Sequence, residues 1–208
     1  MARETFYIYR DLKRDREIAG FVVQERFFKP CQSLFGKKVI PESFLRNIRN
    51  KNTVLIGAIG SPLRQEWINK LEKEGYIFDT VIHKSSLPWG NVIIEYGSII
   101  SKGAVISCDI NIGKHCIVNL NSNLNHDCLL GDFVTVGPGS HIGGNVKIGK
   151  GTWIGIGTTI IHHISVGKHC FIAAGAVVVK DIADYSVAMG VPAKVIRRVT
   201  QKDWQEVV

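Results

Sequence analysis

The sequence predicts a mainly β chain, in which a triangular β-solenoid of about five coils follows a small α/β unit. Three observations carry this expectation. An aliphatic residue recurs at every sixth position from Ile94 to Val178 without a miss. A mostly small residue stands four places after it. The residues before about Leu87 lack this period and read as alternating strands and helices.

The aliphatic series is Ile94, Ile100, Ile106, Ile112, Val118, Leu124, Leu130, Val136, Ile142, Ile148, Ile154, Ile160, Val166, Ile172 and Val178. Neither a helix of period 3.6 nor an alternating strand of period 2 produces a strict period of six. A solenoid of short strands and tight corners does, with three hexapeptides to a coil. The aliphatic side chain fills the prism. The small residue beside it (Ser98, Ala104, Cys116, Ser122, Cys128, Ser140, Thr152, Thr158, Cys170 or Ala176) fits the remaining space. The cysteines at these positions are therefore expected to be packing thiols.

Before the period, Arg16–Glu25 and Asn52–Ser61 are expected to be buried strands of one parallel sheet. Pro41–Asn50 and Pro62–Tyr76 read as helices, the second with Pro62 near its start and Gly75 at its end. Phe78–His83 reads as a further short strand. No glycine-rich turn precedes Arg16, and no strand precedes the helix-like Glu4–Leu12. The unit is thus expected to be a truncated Rossmann-like fold that lacks a glycine phosphate cradle. Its ligands would sit at the carboxyl ends of the strands, near Gln24, Gly60 and Ser61. The expected division is 1–86 for this nucleotide-sugar-binding-like unit, 87–183 for the solenoid and 184–208 for a C-terminal extension.

Composition narrows the function classes. The 208 residues carry 26 Lys and Arg against 18 Asp and Glu, a net charge of +8. The excess is spread along the chain, with no block of like charges that would mark a nucleic-acid arm. It mildly favours anionic ligands. No run of eighteen apolar residues predicts a membrane span, and the first twenty residues lack the apolar core of a signal peptide. Five cysteines without a CxxC pair fit reduced thiols in the cytoplasm.

Residues eighteen apart stack about one strand spacing, ~4.8 Å, above one another, so the corners form three columns. The first contains Cys108-Asp109, His126-Asp127, Gly144-Asn145, His162-His163 and Lys180-Asp181. The second contains Lys102-Gly103, Leu120-Asn121, Pro138-Gly139, Ile156-Gly157 and Ala174-Gly175. The third, from Tyr96-Gly97 to Lys168-His169, is charged and is expected to be ordinary solvated corner. The first gathers titratable groups; the second is apolar and rich in glycine. A cyclic trimer would bring the first column of one subunit toward the second of the next.

Several motifs resemble one known family. These are "GFVV", "VLIGAIGS", "FDTVIHKSS", "NHDC", the hexapeptides, and "GVPAKVIRR" at Gly190–Arg198. Together they resemble the left-handed parallel β-helix sugar acetyltransferases, in the branch of sialic acid O-acetyltransferase and the UDP-4-amino-sugar N-acetyltransferase of bacillosamine synthesis. The resemblance runs from about Ile18 to Arg198. It implies that His126 takes a proton from the attacking sugar amine or hydroxyl, with Asp127 raising its basicity. It also implies that acetyl-CoA lies between subunits of a homotrimer. Cofactor contacts carry over onto Thr135, Ile156 and Ala174. Thr135 stands where a histidine is frequent, and Ala174 where a glycine is. Asn119 is expected as a substrate contact beside Gln24, Gly60 and Ser61.

The chemistry fits this assignment. Acyl transfer from a thioester needs a base, an oxyanion donor and a held donor carbonyl. Histidine beside a carboxylate suits the base, and the Gly144 N–H is a candidate oxyanion donor. Lys180, Lys194 and Arg197 could meet the phosphates of CoA or simply form a solvated face. His115, His141, His162, His163 and His169 read as ordinary repeat positions. A zinc site of the kind found in β-helix carbonic anhydrases fits poorly: His126 and His162 lie two coils, ~10 Å, apart, and no third ligand is in place. No metal is expected. The expected activity is acetyl transfer from acetyl-CoA to the amine of a nucleotide-linked amino sugar. The alternatives are O-acetylation of sialic acid or a polysaccharide hydroxyl, and a trimeric binding protein without activity.

Overall fold

The computed structural model describes residues 1–48 and 52–205. The period of six becomes a left-handed parallel β-helix. Its first face holds five parallel strands: Val92–Ile94, Ile110–Ile112, Leu129–Leu130, Lys147–Ile148 and Ser165–Val166. Its third face holds another five: Val105–Ile106, Asn123–Leu124, His141–Ile142, Thr159–Ile160 and Val177–Val178. The second face carries Ile99–Ile100, Ile117–Val118, Thr135–Val136, Trp153–Ile154 and Phe171–Ile172 within an eight-stranded sheet. Each strand pairs with the residue eighteen positions on, as in Asn123 with His141 and His141 with Thr159.

The core is the aliphatic series itself. Ile100, Val118, Leu124, Val136, Ile142, Ile154, Ile172 and Val178 have no measurable exposure. The small positions are equally closed: the Ser140 hydroxyl donates to the Gly155 carbonyl at 2.8 Å, and that of Thr152 to Gly167 at 2.7 Å. Where the small residue is replaced by Ile110, Val134, Val146 or Ile164, those side chains fill the same space. Burial raises the Cys128 and Cys170 thiols and pushes Cys116 up to about 12, so these are neutral packing groups.

The corners turn through the left-handed backbone region, at Asp127 with φ +61° and at Asn145 with φ +58°. Asp and Asn tolerate that region better than most residues.

The N-terminal unit differs from expectation. Helix α1 (Ala2–Asp11) is followed by β1 (Gly20–Val23), β2 (Ser33–Leu34) and β3 (Lys37–Pro41) in one sheet of order β1-β3-β2. A short α2 (Leu45–Ile48) begins within the expected 41–50 helix, whose last two positions lie outside the described residues. Among the described residues, strand β4 (Val54–Leu55) pairs with β5 (Ile77–Phe78) alone. The two expected strands therefore belong to separate small sheets, and neither is deeply buried: β1 is half-buried throughout and Val54 is exposed. The β2–β3 hairpin intervenes and pairs with β1 instead. Helix α3 (Arg64–Lys73) forms within the expected segment.

This unit docks on the β-helix. Ile8 and Tyr9 of α1 bury the outward faces of Ile99 and Ile117. Ile68 and Leu71 of α3 pack with Phe78 and Phe133. Strand β6 (Val81–Ile82) pairs directly with Ile99–Ile100. At the other end, strands Ser186–Gly190 and Ala193–Arg198 extend the same sheet. The second-face sheet thus crosses both expected divisions, 86/87 and 183/184. Helix α4 (Gln201–Gln205) closes the described chain, with Trp204 against Phe171. No helix of the described residues is long and apolar enough to cross a membrane.

The third corner column is not solvated along its whole length. The third corner column is a docking seam where it meets the α/β unit: His115 and Phe133 are buried and their rings stack at 4.9 Å. The fully buried Arg64 guanidinium donates to the carbonyls of Gly60, Ser61, His115, Phe133 and Val134. Desolvation lowers its pKa to about 10. His115 Nε2 lies 2.9 Å from a Glu72 carboxylate oxygen.

Candidate active site

The edge between the third and first faces holds the titratable column. The left-handed turn at Asp127 sets two side chains outward between the inward Leu124 and Cys128. His126 Nδ1 and Asp127 Oδ2 lie 2.7 Å apart. A carboxylate only accepts, so Nδ1 carries the ring proton and Nε2 presents a lone pair. Both side chains are exposed, at 61% and 58%.

The ring leans toward the next coil. A Cβ built on Gly144 would stand 2.6 Å from both Cε1 and Nε2 of His126. Gly144 has no positive φ, so the requirement for glycine there is space for the imidazole, not backbone conformation. The corner ladder is continuous through this point: Asn145 N–H donates to the His126 carbonyl at 2.8 Å, and His163 N–H to the Gly144 carbonyl at 3.0 Å. The arrangement offers a basic nitrogen, an oriented tautomer, and a bare glycine shelf beside it.

The second edge is apolar, as the column pattern implied. Ile156 is exposed, and so is Ala174. The two edges flank the third face, whose outward residues include Val105, Asn123, His141, Thr159 and Val177. Lys180 and Lys194 are exposed at the C-terminal end. Arg197 is engaged by Asp203, with Nη1 2.7 Å from Oδ2.

Two of the expected contact residues are buried. Thr135 lies on the second face and is 1% exposed. Ser61 is buried, and its hydroxyl donates to the Trp204 carbonyl at 3.1 Å and accepts from Leu63 N–H at 3.3 Å. It is used in clasping the C-terminal helix.

The remaining expected substrate residues fall into two places. Gly60 and Asn119 both approach Met1: a Cβ on Gly60 would lie 3.3 Å from Met1 Cγ, and Asn119 Nδ2 lies 3.8 Å from Met1 Sδ. Gln24 instead accepts from Arg26 at 3.1 Å. It follows β1 directly, next to a cleft of about 570 Å³ lined by Met1–Glu4, Phe21–Val23, Gln32, Leu34 and Val39. A larger cleft, about 670 Å³, climbs the first face from Leu129 to Asp184. It starts two residues from Asp127 but does not include the His126–Asp127 pair. Among the described residues, no cluster of His, Cys, Asp and Glu suited to a metal ion occurs.

Sequence reasoning passed over one pair on the titratable edge. Asn145 Nδ2 lies 2.9 Å from His163 Nδ1, and the His162 and His163 rings meet edge to face at 5.2 Å. The eighteen-residue spacing of Asn145 and His163 was the available signal.

Comparison with known proteins agrees with this architecture. Residues 145–180 match the family model "bacterial transferase hexapeptide (six repeats)". GDP-perosamine N-acetyltransferase of Escherichia coli O157:H7 is 30% identical over 108 residues, 49% of this chain. The match likewise spans about half, 49%, of that relative's length. A histidine-to-asparagine mutant of perosamine N-acetyltransferase from Caulobacter crescentus, in complex with CoA and GDP-perosamine, is 29% identical with a TM-score of 0.87. That likeness covers 94% of this chain and 92% of the other. The acetyltransferase domain of PglB from Neisseria gonorrhoeae FA1090, in complex with acetyl coenzyme A, is 28% identical with a TM-score of 0.83, covering 93% of each chain.

Proposed function

We propose that this chain, a member of the hexapeptide-repeat sugar acetyltransferases, moves an acetyl group from acetyl-CoA to the amine of a nucleotide-linked amino sugar. The observation that carries the reading is the Nδ1–Oδ2 contact of 2.7 Å between His126 and Asp127, which leaves Nε2 free over Gly144. The likeness to enzymes crystallised with CoA, acetyl-CoA and GDP-perosamine supports the two substrates.

The reaction then runs as direct transfer. The sugar amine attacks the thioester carbonyl while His126 Nε2 accepts its proton. Asp127 stabilises the imidazolium that forms. The tetrahedral intermediate collapses, the carbon–sulfur bond breaks, and the departing thiolate takes the proton back from His126. The products are the N-acetylated sugar and CoA, and His126 is regenerated.

A homotrimer is part of this proposal. The reactive edge and the apolar edge border one face, so a threefold arrangement about that face would set His126 opposite Ile156 and Ala174 of a neighbour. Exposed Val105 and Ile156 favour such burial. A cytoplasmic role in polysaccharide biosynthesis follows from the donor and the sugar class, and the unpaired thiols are compatible with it.

The test incubates the protein with acetyl-CoA and a panel of nucleotide 4-amino sugars, with GDP, UDP and dTDP carriers. Release of free CoA with an alkali-stable product heavier by one acetyl group in place of one hydrogen supports the reading. An alkali-labile ester formed on a hydroxyl sugar would favour O-acetylation. Absence of turnover with every acceptor, together with no acetyl-CoA binding by calorimetry, would remove it.

A further inference from the structure

The third face of the β-helix carries a pattern that the proposed reaction does not use. One outward residue per coil stacks along it: Leu87, Val105, Asn123, His141, Thr159 and Val177. Leu87 joins this series by the eighteen-residue spacing. The stacking holds at that level, since a Cβ on Gly90 would lie 2.6 Å from Cys108 Cβ. A second outward series runs two residues further on, from Trp89 to Val179. Neither series contains Lys, Arg, Asp or Glu, in a chain that is 21% charged. The first face, by contrast, exposes Glu95 and Lys147. Leu87, Trp89 and Val105 are more than half exposed toward one end of the third face, and Ile161 is exposed toward the other. An uncharged face with large apolar groups open to water is built to be covered.

Further copies of this chain are the cover that fits. About a threefold axis parallel to the β-helix, each coil meets the same coil of its neighbours. Leu87 then packs on Leu87, and Val105 on Val105. His141 is the exception, because it is the one titratable residue in either series. Its ring is exposed and, among the described residues, makes no hydrogen bond. The strands on either side present Asn123 and Thr159 to it. The corners that bound its coil are Pro138-Gly139 and Gly144-Asn145, which do not titrate. The titratable groups around it stand on the first edge: His126 and Asp127 one coil below, His162 and His163 one coil above. A neutral imidazole has one N–H donor and one acceptor nitrogen. Three of them around an axis can therefore close a ring of N–H···N bonds. Three imidazoliums have donors only, and they repel.

On the reading of this chain as a homotrimer closed about this face, we infer that the His141 side chains of the three copies meet on the axis as neutral rings, and that protonating them opens the trimer. The assembled form then binds fewer protons than the separate chains. Association is therefore strongest above the ordinary imidazole value of about 6.5 and weakens as the pH falls below it. The rest of the face, being uncharged, holds the copies together at neutral pH. His141 makes that hold sensitive to acid.

Sedimentation velocity at pH 7.5 and 5.5 tests this, with circular dichroism at each pH to check that the chains stay folded. The wild type is expected to be a trimer at pH 7.5. Its association constant should be about 10³-fold smaller at pH 5.5, a factor of ten for each of three rings. His141→Asn keeps a donor and an acceptor without a titrating group, and should remain trimeric at both pH values. His141→Arg sets three permanent charges on the axis and should be monomeric at both. A His141→Asn variant that dissociates in acid like the wild type, a His141→Arg variant that stays trimeric, or a wild type indifferent to acid would overturn the inference and leave the trimer in place. A wild type that is monomeric at pH 7.5 would remove the trimer as well.

Discussion

The imidazole of His126 occupies the space that a side chain on Gly144 would need, with Nε2 2.6 Å from the missing Cβ. The glycine of one coil thus sets the position of the base in the coil below. Gly144→Ala should push the ring aside while leaving the backbone unstrained. A fall of about 10²-fold in kcat is expected from a misplaced base, with a melting temperature close to that of the parent. Steady-state kinetics beside thermal melting checks both.

Asp127 fixes the tautomer. Asn is the informative replacement, because it fits the left-handed backbone at φ +61°. Its amide can donate to Nδ1, which would place the ring proton on Nε2 and block the base. Asp127→Asn should lower kcat by about 10²-fold, with the KM for acetyl-CoA unchanged. Full activity in this variant would mean that the 2.7 Å contact has no role in turnover.

Arg64 ties the α/β unit to the β-helix through five carbonyls. Arg64→Met keeps much of the volume but leaves those carbonyls short of a donor. A loss of roughly 2–4 kcal/mol is expected, as for other buried networks broken on one side. Denaturant unfolding of the variant measures it, and a new early transition confined to the N-terminal unit would accompany the loss.

Burial lowers the pKa of His115, and the bond to Glu72 opposes this only in part. Glu72 and Asp132 favour the charged ring, and Arg64 disfavours it. His169 is lowered in the same direction, mainly by desolvation. The folded chain therefore binds fewer protons than the unfolded chain below the ordinary histidine value of 6.5. Stability from this source is intact above that pH and is lost as pH falls through the lower folded values. The urea midpoint should drop between pH 7.5 and 5.5. His115→Phe should reduce the drop without abolishing it, since His169 remains. Phe133 adopts the same left-handed corner at φ +59°, so phenylalanine fits this column.

The β-helix was legible in the sequence because its constraint is local and repeated. Each inward position sees the same cramped prism, so Ile100, Leu124 and Ile142 report one rule many times. The same spacing located the His126–Asp127 corner. The third column was misread because a corner's burial depends on what docks against it. Nothing in Lys114-His115 indicates that Arg64 and Phe78 arrive there from far away in the chain. The burial of Ser61 was hidden for the same reason: Trp204, far away in the chain, accepts from its hydroxyl. In the α/β unit, strands of two to five residues carry too little pattern to fix their partners. The β2–β3 hairpin, which takes β1 away from the expected sheet, was missed on that account.

The most direct measurement is the turnover of His126→Asn with acetyl-CoA and the nucleotide amino sugar that the wild type accepts. The side chain is exposed, so the fold should be retained. Loss of the base should lower kcat by about 10²–10⁴-fold, with KM for both substrates nearly unchanged. A kcat within twofold of the wild type would contradict the assignment of His126 as the group that takes the amine's proton.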